Sequence, residues 1–278
     1  MQKLNKKYLY LPKDFWAKHK LCEELVAYIE ELIIKDDYQK LKFKAIDIES
    51  KDGLPDKDEH ILDFLERKGK LKERDELIRN QIIYGLIIDT CYFLQESLRC
   101  SKAMRLSVAF SLLRKPFVYN LIVFLRIIYE DDFLSKFNNE EKFDSTQLEK
   151  EDKEELIRIS LSEANLIGLR EEHRDILIDL IFNKNNRESI VNLSEKALHL
   201  STTRNKNNLT GKQNLNFIFS TYDNNVEMWD YLYSKLPLLL LYMAGVIDYA
   251  VMPIVELDKE KLNDRLMKKI KIFNKNTR

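Results

Sequence analysis

The chain is poor in the residues that break helices and in those that build cross-linked folds. Only 6 glycines and 5 prolines punctuate 278 residues. Turn-rich sheets need many of both, so the scarcity argues against a sandwich or barrel and favours helices. Three cysteines (Cys22, Cys91, Cys100) form no CxxC pair and leave an odd one over, which excludes a disulfide framework. Cys91 and Cys100 fall in an apolar stretch, where a thiol behaves as a small hydrophobe. There is no HExxH, GxSxG, Walker lysine loop or GxGxxG, so no cofactor is expected and no reaction is named. None of His19, His60, His173 and His199 has a Glu three residues before it, which removes the di-iron bundle motif. His19 and Cys22 share a helical face, but two ligands do not make a zinc site, and no metal is expected. The opening MQKLNKKYLYLPKDF has no long apolar run of the signal-peptide kind. With the free thiols, this predicts a reducing cytoplasm.

What is present is apolar and charged residue in quantity, 45 % and 33 % of the chain. The formal charge sums to zero but is unevenly spread: −1 over 1–76, +5 over 77–128, −8 over 129–200 and +4 over 201–278. Residues 77–128 are the unusual segment, almost continuously apolar yet basic. Arg79, Arg99, Lys102, Arg105, Arg114, Lys115 and Arg126 face only Asp89 and Glu96. Burying an unpaired charge costs several kcal/mol, so these cations must reach water, pair with acids elsewhere, or bind an anion. Two readings follow. Either the acidic middle neutralises the basic core helices, or a basic patch selects phosphates.

Periodicity places the elements. A helix is expected from Pro12–Lys13 to about Asp36, with Phe15, Leu21, Leu25, Tyr28, Ile29 and Leu32 on one face. Residues 41–50 alternate apolar and polar, which suggests a short strand, and Lys51–Pro55 reads as a turn. A helix over about 56–68 should stop at Gly69. A long helix runs from about Lys72 to Arg99, and Ser101 is expected to cap the next. That one should end before Pro116, which opens a further helix to about Tyr129. Acidic amphipathic helices over 140–159 and 171–182, then Ser189–Leu200, precede a polar loop, 201–214. A strand is suggested at Phe217–Thr221. Val226–Ile254 and Asp258–Phe273 complete the set. Leu236–Ile254 has the length of a membrane span, but Asp248 lies inside it, at a cost of roughly 2.5–3.5 kcal/mol in lipid. A buried central helix is the expectation.

Three constellations carry chemical content. On the long helix Gln81, Gly85, Asp89, Tyr92, Glu96 and Arg99 fall on a strip about 80° wide. It faces solvent, with Glu96 and Arg99 paired at i,i+3, or it walls a pocket in which Glu96 aims Arg99 at an anion. Arg114 and Lys115 precede Pro116, where a helix start plus two cations makes an anion site. The same pair also complements the dipole of the helix it ends. In the polar loop His199, Thr202, Thr203, Arg204 and Lys206 with Asn214 and Asn216 could hold phosphate and supply an acid or base; the other reading is a mobile surface loop. An antiparallel return of the helix after Arg99 would leave Arg114 roughly 20 Å away. Glu96, Arg99 and Arg105 are then the subset expected to share a site.

The stretches CYFLQESLRCSKAMRLSVAFSLLRKPFVYNL, HLSTTRNKNNLTGKQNLNFIF and MWDYLYSKLPLLLLY are similar to uncharacterised bacterial helical proteins. More remotely, the arginine-rich bundle resembles the HEPN superfamily of prokaryotic RNases and defence components. That resemblance implies an Arg followed by His after four to six residues. Here Arg170 precedes His173 with only two between, so a nuclease centre of that type is not expected even where the fold is shared.

The sequence therefore predicts a mainly α, multi-helix bundle with at most a small strand element. It is read as a single domain over 1–278, with 1–70 packed on a core formed by 77–129 and 226–254. The leading functional expectation is a cytosolic binder of RNA, DNA or a nucleotide, an effector in bacterial defence, with nuclease activity the first to test. Its anion-binding residues would be Glu96, Arg99, Arg105, Arg114, Lys115, His199 and Arg204. The alternative is an interaction module, a homo-oligomer or partner-binding protein with internally paired arginines. A membrane-associated effector is the third.

Overall fold

Twelve α-helices among the described residues account for the architecture of the computed structural model. It describes residues 7–43, 45–46, 53–163, 169–204, 206, 209–218 and 220–276. The protein is mainly α, and no strand forms among the described residues.

The first helix, α1 (Trp16–Ile34), buries Leu21, Cys22, Leu25, Val26, Ile29 and Leu32, the face its sequence period defines. Residues 41 and 42, where a strand was suggested, instead end the short α2 (Gln39–Lys42). The rest of that suggested strand and the start of the turn at 51 lie largely outside the described residues. Next, α3 (Ile61–Arg67) stops at Gly69, whose φ is 69°. Gly69 N–H donates to Glu66 O and Lys70 N–H to Leu65 O, the paired bonds of a Schellman motif.

The 32-residue α4 (Leu71–Lys102) turns Ile83, Ile87, Cys91, Leu94 and Leu98 inward at three- and four-residue steps. Ser101 does not cap the following helix. It sits in the last turn of α4, buried, because its hydroxyl is bonded to that of Tyr233 at 2.8 Å. The chain reverses instead at Met104, with φ 60°. Met104 N–H reaches Ser101 O and Arg105 N–H reaches Cys100 O, again the Schellman pattern, here with methionine where glycine is usual.

The next helix does not break at Pro116. From α5 (Leu106–Arg114) the chain passes through one π-helical stretch, Lys115–Asn120, into α6 (Leu121–Tyr129). Proline brings no N–H and crowds the preceding turn. The wider π turn, closed by Leu121 N–H on Pro116 O, absorbs both within a continuous rod.

Outside this rod lie α7 (Phe133–Asn139), α8 (Lys150–Glu163), α9 (Arg174–Ile181) and α10 (Ile190–Leu198). The eighth packs on α6 and α9, and α10 packs on α5. Ser189 caps α10 through Asn192 N–H. Phe217 and Ile218 lie in a turn, not a strand. Thr221 and Asn224 then form a capping box that opens α11 (Tyr222–Val255).

The eleventh helix is the axis of the molecule, touching α1, α2, α4 and α6. Leu106–Tyr129 and Tyr222–Val255 are both long and apolar enough to cross a membrane by length and composition. In this fold 61 % and 67 % of their most apolar windows are buried against other helices. Finally α12 (Lys259–Asn276) returns along α1.

Candidate functional site

The polar strip of α4 faces outward: Gln81, Gly85, Tyr92, Glu96 and Arg99 are exposed and Asp89 half-buried. Arg99 Nη1 lies 2.7 Å from Glu96 Oε1, with the arginine side chain 71 % exposed. Arg105 is also exposed, at the reversal after α4. Most other cations of 77–128 are answered nearby. Lys115 pairs with Asp89 at 2.7 Å and covers the Phe93 ring. Lys102 reaches Glu23 at 3.2 Å. Arg126 is buried between Glu130 and the carbonyls of Asp144 and Gln147, with Phe133 and Phe143 on its faces. Because the helix continues through Pro116, no free helix start stands behind Arg114 and Lys115.

The loop of His199 and Arg204 closes on itself. Thr210 Oγ1 accepts from Thr202 N–H and donates to Asn216 Oδ1, while Asn216 Nδ2 donates to His199 O and Thr202 Oγ1. His199, Thr203, Arg204 and Lys206 stay exposed on its outside. Arg170 N–H donates to His173 Nδ1 and caps the turn before α9.

Arg114 stands apart from the other anticipated residues, because it lines the main cleft. This cleft, of about 880 Å³, runs between the π-helical stretch, α8, α9 and the start of α10. Arg114 is held by Tyr119 Oη at 2.8 Å and by Val191 O and Ser194 Oγ at 3.4 Å, with no carboxylate partner among the described residues. Three lysines line the cleft, Lys150 and Lys153 from α8 and Lys184 after α9; Lys150 pairs with Glu154, and the other two form no ion pair among the described residues. Burial and the charge of Lys184 push the Lys153 amine below the usual lysine range. The acids lining the cleft are mostly engaged. Asp179 accepts from Asn183 and Asn186, Glu154 pairs with Lys150, and Asp175 with Arg174. Tyr119 and Phe182 add aromatic rings.

Two buried polar clusters lie elsewhere. Asp248 accepts from Tyr28 Oη at 2.6 Å, Arg265 Nε at 2.8 Å and Lys269 Nζ at 2.8 Å. Burial opposes the charge of Arg265, but Asp248, Tyr28 and Tyr38 together outweigh it, so the guanidinium pKa is raised. In the other cluster His19 joins Glu23 to the Tyr233 hydroxyl, which continues to Ser101. The bond from His19 chiefly, with Lys102 assisting, holds Glu23 down at about 2. Both clusters fasten helices together, and neither lines the main cleft. Among the described residues no three His, Cys, Asp or Glu side chains gather as a metal site.

No family model, no curated protein and no solved structure matches the chain. The site itself therefore has to carry any functional reading.

Proposed function

We propose that this protein binds a phosphate-bearing ligand of nucleotide size in the cleft between α8, α9 and the 115–120 stretch, and acts in the cytoplasm. One observation carries the reading. Arg114, Lys153 and Lys184 converge on a single cleft without ion-pair partners among the described residues, while three of its acids are engaged by neighbours. Glu149, Glu154, Asp175 and Asp179 line the same cleft, so the charges there balance, and a phosphate would be held by hydrogen bonds from the three cations that lack an ion pair. The volume suits a small ligand, for which 300–1,000 Å³ is usual, and Tyr119 and Phe182 offer rings against which a base can lie. A long nucleic acid would use an open basic face instead. Arg99 and Arg105 remain available for such a face, but neither lines the cleft.

Calorimetry with ATP, GTP and inorganic pyrophosphate at low salt tests this. Binding should weaken about tenfold or more in Arg114→Gln and in Lys184→Gln, since a bond to a charged group contributes roughly 1.5–3 kcal/mol. Absence of binding by all three compounds at low salt would overturn the reading.

A second reading, an interaction module with internally satisfied cations, is favoured by the pairs Arg99–Glu96, Lys102–Glu23, Lys115–Asp89 and Arg126–Glu130. It predicts self-association or partner capture with no response to phosphate compounds. Light scattering showing a lone monomer would count against its oligomeric form.

A further inference from the structure

The loop between α10 and α11 is built inside out. Its polar side chains are spent inward: Thr202 is buried, its N–H donates to Thr210 Oγ1, and Thr210 N–H donates back to Thr202 O. Asn216 N–H donates to Leu200 O, and its side chain joins Thr202 Oγ1 to Thr210 Oγ1. Phe217 lies beside Phe110, with ring centroids 6.2 Å apart, and fixes the loop to α5. The aliphatic side chains are left outside. Leu198, Leu200, Leu209 and Ile218 are each more than half exposed, and Leu215 is exposed as well. The backbone bonds set 200 beside 216 and 202 beside 210, so Leu200, Leu209 and Leu215 adjoin one hydrogen-bonded knot. A single exposed leucine needs no explanation, but several on a loop whose polar groups turn inward do. The charge is equally one-sided. No Asp or Glu occurs between Glu195 and Asp223, whereas Lys196, Arg204, Lys206 and Lys212 do. Arg204, Lys206 and Lys212 are exposed and form no ion pair among the described residues.

We propose that this loop docks the protein on an anionic lipid surface. Leu200, Leu209, Leu215 and Ile218 enter the boundary between headgroups and acyl chains, and Arg204, Lys206 and Lys212 meet the lipid phosphates. Outward aliphatic groups ringed by cations, with no acid among them, complement a surface that is anionic above and apolar beneath. A nucleic acid supplies the charge but no aliphatic layer, and a second copy would set like charge against like. The protein then lies on the membrane without spanning it, since its two long apolar helices are mostly buried in the bundle. The docking surface is separate from the cleft, none of whose lining residues follows Val191. It therefore does not depend on the phosphate reading above.

Co-sedimentation of the full chain with vesicles tests this, using equimolar phosphatidylglycerol and phosphatidylcholine against phosphatidylcholine alone. Binding is expected to the anionic vesicles and should weaken as salt is added. Arg204→Gln, Lys206→Gln and Lys212→Gln should each weaken it about fivefold, the usual contribution of one cation beside an anionic leaflet. Leu209→Asn should weaken it about tenfold with the melting temperature unchanged, because an exposed leucine gains its burial only in the lipid. A Leu209→Trp variant reads insertion directly, and the unsubstituted chain, with Trp16 and Trp229 alone, supplies the background. Its emission should shift to the blue with anionic vesicles and be quenched by brominated acyl chains. Three results would overturn the proposal: no binding to the anionic vesicles at low salt, binding that none of the loop substitutions weakens, or an unshifted emission in the Leu209→Trp variant. Capture of single-stranded DNA that needs the same three cations, without vesicle binding, would overturn it in favour of a nucleic-acid face.

Discussion

Asp248 shows how a single residue can decide what an apolar helix is for. Within the run Leu236–Ile254 it argues against lipid, and the fold supplies what it needs instead: two cations from α12 and the Tyr28 hydroxyl from α1. Arg265 and Lys269 are only 5 % and 3 % exposed, and Arg265 also lies over the Tyr28 ring at 4.0 Å. Two buried cations depend on one carboxylate. Asp248→Asn should therefore cost about 3–5 kcal/mol, because it leaves buried charge without compensation. Lys269→Met should cost much less, since a one-to-one pair remains. Urea denaturation of the two variants tests the asymmetry. Equal losses would mean that the second cation contributes nothing to holding α12 in place.

At the scale of the element, the reversal between α4 and α5 carries local strain. Met104 has φ 60°, in the left-handed region that costs an L-residue roughly 1–2 kcal/mol, and it is 38 % exposed. Met104→Gly should raise stability by about 0.5–1 kcal/mol, seen as a higher melting temperature. A lower one would show that the methionine packs more than its exposure suggests. This reversal was not legible in the sequence. Ser101 looks like a cap, but its hydroxyl is claimed by Tyr233, 132 residues away, and no local pattern reveals that. Pro116 looks like a boundary, and the π turn that carries the helix through it depends on packing along the whole rod. Elements whose ends are set locally were legible: the stop at Gly69, the start of α10 near Ser189, the inward face of α1. The outward polar strip of α4 was one of two readings its spacing left open. Of the cleft, Arg114 was singled out, although for a helix start that the fold lacks. Lys153 and Lys184 were hidden because they belong to the segment of net charge −8, where counting charges averages cations with acids that are already engaged. The one signal for them was Lys184 in the polar turn NKNN, and it says nothing about burial.

At the scale of the molecule, one continuous cluster of buried side chains runs from Leu11 to Val255. It includes Leu156, Ile157, Leu177 and Ile181 from the acidic outer helices as well as Trp229 and Leu240 from the central one. A segment whose apolar face belongs to a shared core cannot open without exposing its neighbours, so its stability is tied to theirs. Were 133–200 a separate unit, its buried residues would form a cluster of their own. The chain should thus unfold in urea as one transition, with the loss of helical circular dichroism coinciding with the change in tryptophan fluorescence. The comparison is informative because Trp16 and Trp229 report on α1 and α11, whereas circular dichroism also registers α8, α9 and α10. A helical signal that falls before the fluorescence changes would place α8–α10 in an independently folding layer. The cleft between them and the 115–120 stretch would then lie at a boundary between folding units, and its ligand should raise the midpoint of the first transition selectively. Coincident transitions, both moved upward by the same ligand, would show instead that the cleft reports on the stability of the whole bundle.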